Sequence, residues 1–252
     1  MKKIIKGFVN FFGVDIVRFN RNSKQPEKLH GNDEIDYFSE ARKFEWLKKY
    51  NFKTIIDVGA NEGQFTRKIS IVFPDAEIHC FEPLQEDFNK LKYNFQDSSK
   101  IKIYNFGLGD TNEEKNIYRN EYSPSSSLLE MLELHKSNFQ YAVKAEPEKV
   151  SIRIFDEVFK GDLARPLLVK VDVQGYEMHV LNGGPKIMEQ ADVCIIETSF
   201  YPLYNGQPLF GEIYNYFIQR GYEYVGSIDQ LTAPTDNKIL QADAVFVRQK
   251  VD

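Results

Sequence analysis

Residues 53–63 read KTIIDVGANEG, a short apolar run that ends in an acid and a glycine turn. Lys53–Ala60 has the length and composition of a buried strand, and the glycines let the chain turn sharply into a helix. Gln64–Phe73 has helical periodicity and is stopped by Pro74. Glu77–Glu82 (EIHCFE) is a second strand, closed by Pro83, and Leu84–Phe95 a second helix. Ile101–Phe106 is a third strand, Lys115–Arg119 a short extra one, and Val150–Ile154 another. Leu167–Val173 (LLVKVDV) is a buried strand ending before Gly175. Tyr176–Glu189 reads as one helix with a weak point at Gly183-Gly184-Pro185. Val193–Thr198 is a fifth core strand, Leu209–Arg220 a helix, and Tyr222–Val225 and Ala244–Arg248 two last strands without a helix between them. Short apolar strands alternating with helices predict an α/β fold with a mostly parallel, doubly wound sheet. The last two strands predict an antiparallel hairpin at one edge.

Composition agrees. The chain has 252 residues, 42% hydrophobic and 27% charged, as in ordinary globular domains. Its formal charge of −5 argues against a dedicated nucleic-acid binder, which usually carries a basic surface. Cys80 and Cys194 each lie inside an apolar, strand-like run and read as buried thiols of a reducing compartment. The histidines His30, His79, His135 and His179 are scattered, and no Cys/His cluster suggests zinc. No run reaches the roughly 18 apolar residues of a spanning helix.

In an open α/β sheet, ligands bind at the carboxyl ends of the strands, where strand order reverses. The first such exit is Asp57–Gly63. A dinucleotide fingerprint would need glycine at 59, 61 and 64, but 61 and 64 are Asn and Gln. Asp57 would also repel a phosphate, and suits a cationic ligand. Glu82 ends the next strand, 19 residues after Gly63, where an acid can accept hydrogen bonds from both ribose hydroxyls. A positively charged nucleoside without phosphate fits both, and S-adenosylmethionine is such a molecule.

The motifs DVGANEGQF (57–65), FEP (81–83), GLGD (107–110), SSSL (125–128), LVKVDVQGYE (168–177), VLNGG (180–184) and IIE (195–197) stand in this order. Together they resemble the FkbM family of S-adenosylmethionine-dependent methyltransferases, over residues 54–248. The resemblance implies a Rossmann-like class I methyltransferase, with a seven-stranded sheet and helices on both faces. It implies methyl transfer to a hydroxyl, with a sugar, glycan or natural-product acceptor. Carried over position by position, Asp57, Gly59, Asn61 and Gly63 would wrap the methionine part of the cofactor. Glu82 would hold the ribose, and a turn from Gly107 to Asp110 would flank the adenine. Asp172 would lie where acceptor and methyl meet, as base or as ligand of Mg²⁺ or Mn²⁺, with Glu197 a second oxygen ligand. Lys170, two residues earlier on the same strand face, is either catalytic or half of an ion pair with Asp172 or Glu197. His179 reads as a packing residue. The Ser123–Ser127 loop reads as part of a lid, and the aromatic run Phe200–Tyr204 as an acceptor contact.

The resemblance does not cover residues 1–50, expected to be a helical extension and linker ahead of a methyltransferase domain at 51–252. Residues 1–30 carry seven basic and two acidic side chains, so they stand at +5 and the remainder at −10. Ile4, Ile5, Phe8, Phe11 and Phe12 fall close to helical spacing, which suits either packing on the domain, a dimer contact, or peripheral contact with an anionic membrane face. A cytoplasmic location is expected. Two other readings use the same fold: an NAD-dependent oxidoreductase or epimerase, opposed by Asp57 and the missing glycine, and a non-catalytic binder.

Overall fold

Helix α1 (Tyr37–Ala41) runs into a 3₁₀ segment (Arg42–Tyr50), and from there strands and helices alternate. The computed structural model describes residues 37–120, 126–138 and 145–249. The basic segment 1–30 and Ser123–Ser125 of the expected lid lie outside the described residues. The first half continues as β1 (Thr54–Val58), α2 (Gln64–Val72), β2 (Glu77–Phe81), α3 (Gln85–Asn94) and β3 (Ile101–Tyr104). Then come β4 (Gly107–Gly109), β5 (Glu113–Asn120), α4 (Glu133–Asn138), β6 (Ala145–Ile154) and α5 (Phe155–Val158). The second half holds β7 (Leu167–Val171), α6 (Glu177–Gly183), α7 (Pro185–Gln190), β8 (Val193–Ser199), α8 (Phe210–Ile218), β9 (Tyr222–Thr232) and β10 (Ile239–Arg248).

The main sheet has seven strands in the order β3-β2-β1-β7-β8-β10-β9. The first five pair in parallel, and β10 runs antiparallel to both β8 and β9. This is the expected α/β, Rossmann-like sheet with its edge hairpin. Strand order reverses between β1 and β7. Both are buried along their whole length, because helices cover both faces. On one face Ile56, Val58, Val169 and Val171 pack with Val180, Leu181, Met188 and Phe217. On the other, Ile55 and Leu168 pack with Phe44, Leu47, Ile69 and Leu91.

One expectation is extended and three change. Lys115–Arg119 and Val150–Ile154 belong to a second sheet, ordered β4-β6-β5, whose apolar face is Ile117, Val150 and Ile152 against Leu84. The turn expected from Gly107 to Asp110 is largely strand β4 of that sheet. The helix expected over 176–189 is two helices, since Pro185 lacks an N–H and starts α7 rather than continuing α6. The hairpin strands are longer than Tyr222–Val225 and Ala244–Arg248. In addition, Phe44 and Leu47 of the 3₁₀ segment are core residues, so the compact unit, residues 36–252, takes in positions assigned to the extension. Among the described residues no helix is long and apolar enough to cross a membrane.

Candidate active site

A cavity of about 440 Å³ opens at the carboxyl ends of β1, β2, β7 and β8, at the reversal of strand order. Gly59, at the exit of β1, sets how close the two halves come. Its φ is +78°, and a Cβ there would lie 1.9 Å from the Asp172 carbonyl oxygen. The backbone N–H groups of Gly59 and Ala60 both donate to the Phe81 carbonyl at 3.0 Å, tying the turn to β2. Asn61 comes next in the turn, with φ +49°. Its backbone N–H donates to Glu82 Oε2 at 2.9 Å, and that of Leu84 donates to Oε1 at 2.8 Å. Glu82 is thus held from both sides at the cavity wall. Burial raises its pKa to about 8, against the pull of these two N–H groups.

Gly59, Asn61, Glu82 and Gly107 line the cavity, as do Lys170, Asp172 and Glu197. Three expected cofactor residues do not. Asp57 is 0% exposed and lies beneath the cavity. It is paired in register with Lys170 of β7, the two side chains on one sheet face. Thr66 Oγ1 donates to Asp57 Oδ2 at 2.7 Å, and Lys170 Nζ stands 3.6 Å from Oδ1. The cation that Asp57 faces is therefore an internal one. Burial raises the Asp57 carboxyl above the usual range, opposed by Lys170 and Thr66. Gly63 caps α2 with φ +93°, and a Cβ there would meet Phe95 and Leu91 at 2.3 and 2.8 Å, so its reason is packing. Asp110 lies outside the lining and contacts His179 Nδ1 at 3.0 Å, while His179 stacks on Tyr176. His179 is exposed and does not line the cavity.

Lys170 is an ion-pair residue. Its Nζ is 3.2 Å from Asp172 Oδ2, and the second partner is Asp57 rather than Glu197. Burial opposes the charge, but Asp172 and Asp57 outweigh it and hold the ammonium above the usual lysine range. The sequence reading missed Gln174. Its Nε2 donates to Asp172 Oδ1 at 2.9 Å and to Glu197 Oε2 at 2.8 Å. Its Oε1 accepts from Tyr204 at 2.9 Å, and its backbone carbonyl accepts from Ser127 Oγ at 2.6 Å. These contacts hold it at φ +53°. Tyr204 is buried and bonds to the site through Gln174, and none of Phe200–Tyr204 lines the cavity.

Asp243 was also missed. It pairs in register with Glu197 across β8 and β10 and lines the cavity with Gln241 and Asp229. Burial and the Asp172 charge push Asp243 up to about 6. Burial first, then the charges of Asp172, Glu177 and Asp243, lift Glu197 well above the usual carboxylate range. A divalent cation between Asp172 and Glu197 does not fit this donor set. The Gln174 amide N–H groups and the Lys170 ammonium already turn positive charge toward Asp172, which a second cation would have to face, and Glu197 favours its proton. Among the described residues no group of three or more His, Cys, Asp or Glu is arranged to hold a metal. The Mg²⁺ or Mn²⁺ expectation is corrected accordingly.

Comparison with known proteins finds a family match over residues 57–224, described as the methyltransferase FkbM domain. The 2-O-methyltransferase NoeI of Sinorhizobium fredii is 26% identical over 161 residues, 61% of this chain and 66% of that protein. Methyltransferase 1 of Beauveria bassiana is 28% identical over 144 residues, 51% of this chain and 57% of that protein. The chain thus covers less than two thirds of the length of either relative. Among solved structures, a methyltransferase FkbM from Methylobacillus flagellatus KT superposes with a TM-score of 0.50 at 14% identity, covering 78% of this chain and 44% of that one, a likeness of fold.

Proposed function

Because the chain belongs to the FkbM methyltransferase family, we propose that it binds S-adenosylmethionine in the cavity and methylates a hydroxyl of a sugar or glycan. The observation that carries this reading is Glu82, fixed by the N–H groups of Asn61 and Leu84 beside the narrow Gly59 turn. A carboxylate so held keeps lone pairs for a diol and suits a ribose. The residues present fit the cofactor: Gly59, Asn61, Glu82, Pro83, Leu84 and Gly107 would hold it. When bound, it supplies a methyl group already activated for in-line displacement.

The rest is done by the chain. Asp172, 31% exposed at its side chain, takes the proton of the acceptor hydroxyl. Gln174 fixes the direction of that carboxylate and of Glu197. Asp243 and Gln241 extend the polar wall on the side away from Glu82 and suit the remaining hydroxyls of a sugar. The similarity to a 2-O-methyltransferase supports an oxygen acceptor. The many carboxylates on this wall disfavour nucleic acid as acceptor. Two buried free thiols, Cys80 and Cys194, support a cytoplasmic location.

The test has two steps. Calorimetry should show S-adenosylmethionine and its demethylated product binding, with NAD binding weakly or not at all. Glu82→Ala should weaken that binding by about 1–3 kcal/mol. Mass spectrometry of mono- and oligosaccharides incubated with enzyme and cofactor should then find one added methyl group. Binding of NAD in preference, or cofactor affinity untouched by Glu82→Ala, would reject the assignment.

A further inference from the structure

Among the described residues, eight charged side chains line the cavity, and two of its three lysines are already matched. Lys170 sits between Asp57 and Asp172. Lys43, on the 3₁₀ segment, is bound by Asp229 of the hairpin and by Glu40. Lys68, in the second turn of α2, lines the cavity with Gln64 and Phe65 of the same helix and forms no ion pair among the described residues. It is half-buried. An ammonium drawn out of water without a counter-ion is costly, so a lysine kept there signals an anion that arrives from outside.

We propose that Lys68 is the anchor for the carboxylate of the cofactor's methionine moiety, a proposal that rests on reading the cavity as the S-adenosylmethionine site. Three further observations agree. The Gly59–Asn61 turn, against which the methionine part would lie, leads within three residues into α2, whose first turns carry the positive end of the helix dipole. Glu82 and Gly107 belong to the exit of β2 and to β4, so the ribose and adenine end is built from other elements than the Lys68 end. Burial, with the nearby Lys43 charge, lowers the Lys68 pKa and outweighs the attraction of Glu40 and Asp229, which are spent on Lys43, as befits a cation without a partner in contact. The carboxylates of the lining, Glu82, Asp172, Glu197, Asp229 and Asp243, would all repel it.

Decarboxylated S-adenosylmethionine keeps the adenosine, the sulfonium and the amine and lacks only the carboxylate, so it isolates the contact. The experiment is calorimetry of both ligands on the full chain and on Lys68→Met and Lys68→Arg, with circular dichroism confirming the fold. Lys68→Met should weaken S-adenosylmethionine binding by about 10–100-fold, the range for a charge-assisted hydrogen bond, and leave the decarboxylated ligand at its parent affinity. Lys68→Arg should keep most of the S-adenosylmethionine affinity. Equal S-adenosylmethionine affinity in parent and Lys68→Met overturns the proposal and leaves Lys68 for an anion on the acceptor. An equal loss for both ligands overturns it too, because Lys68 would then act on cavity shape. Failure of the parent to bind either ligand removes the cofactor reading itself, a result separate from the other two.

Discussion

Replacing Lys170 by methionine should destabilise the fold, and by an amount that pH controls. The variant keeps the bulk of the side chain and removes a charge whose Nζ is 3.6 Å from Asp57 and 3.2 Å from Asp172. At an effective dielectric constant of about 20, two charges 3.6 Å apart attract by about 4–5 kcal/mol. Breaking a buried pair by removing one partner costs about 3–5 kcal/mol, for the same reason: the other charge is stranded. Asp57 is 0% exposed, and its remaining hydrogen bond comes from Thr66. It escapes by taking up a proton. Its folded pKa, already raised by burial, rises further once Lys170 is gone. The folded variant then binds a proton that the unfolded chain, with an aspartate near pKa 3.9, has released. Stability therefore falls as pH rises through that interval. Urea denaturation followed by circular dichroism should find the variant closest to the parent near pH 5, and about 3–5 kcal/mol below it near pH 8. Adding Asp57→Asn should recover part of the loss and flatten the pH dependence. A Lys170→Met protein within about 1 kcal/mol of the parent at pH 8, or no gain from the second substitution, would refute the account of a buried, mutually dependent pair.

The site sets three other outcomes. Cofactor affinity should rise about tenfold per pH unit below about 8 and level off above it, since a ribose diol donates to the ionised Glu82; Glu82→Gln, titrated by calorimetry, should abolish that slope. Gln174→Leu removes the amide oxygen that accepts from the Tyr204 hydroxyl and leaves Asp172 and Glu197 without their shared donor, so thermal unfolding should show a loss of about 1–3 kcal/mol. Asp172→Asn should leave cofactor binding intact and slow methyl transfer by roughly 10²-fold or more, with chelator inert on the parent enzyme.

The alternation of apolar runs and helices made the main sheet legible, because β1, β2, β7 and β8 are buried on both faces and must be apolar. Their exits were legible for the same reason: Asp57, Glu82, Asp172 and Glu197 are acids ending runs that otherwise exclude charge. What stayed hidden depends on register between distant segments. Only the Asp57–Lys170 pairing reveals that the Asp57 charge is spent internally, and only the Glu197–Asp243 pairing brings Asp243 to the wall. Gln174 gives no local signal, since an amide beside a glycine reads as any turn. The second sheet was obscured because β4 is three residues long and β5 (EEKNIYRN) is mostly polar.

The reversal of strand order also has a kinetic meaning. Residues Thr54–Tyr104 can pair with one another as soon as they leave the ribosome, whereas Asp57 meets Lys170 only after more than a hundred further residues have been made. Closing so long a loop is slow compared with forming local contacts. Until β7 docks beside β1, the nascent half exposes an unpaired strand edge at its centre and carries a carboxylate with no ammonium to meet it. Burial of that adhesive edge and the meeting of the Gly59 turn with Asp172 are thus a single late event. A chain delayed before residue 171 is exposed to aggregation, and one that has passed it still awaits β8 and β10 for the far wall of its pocket.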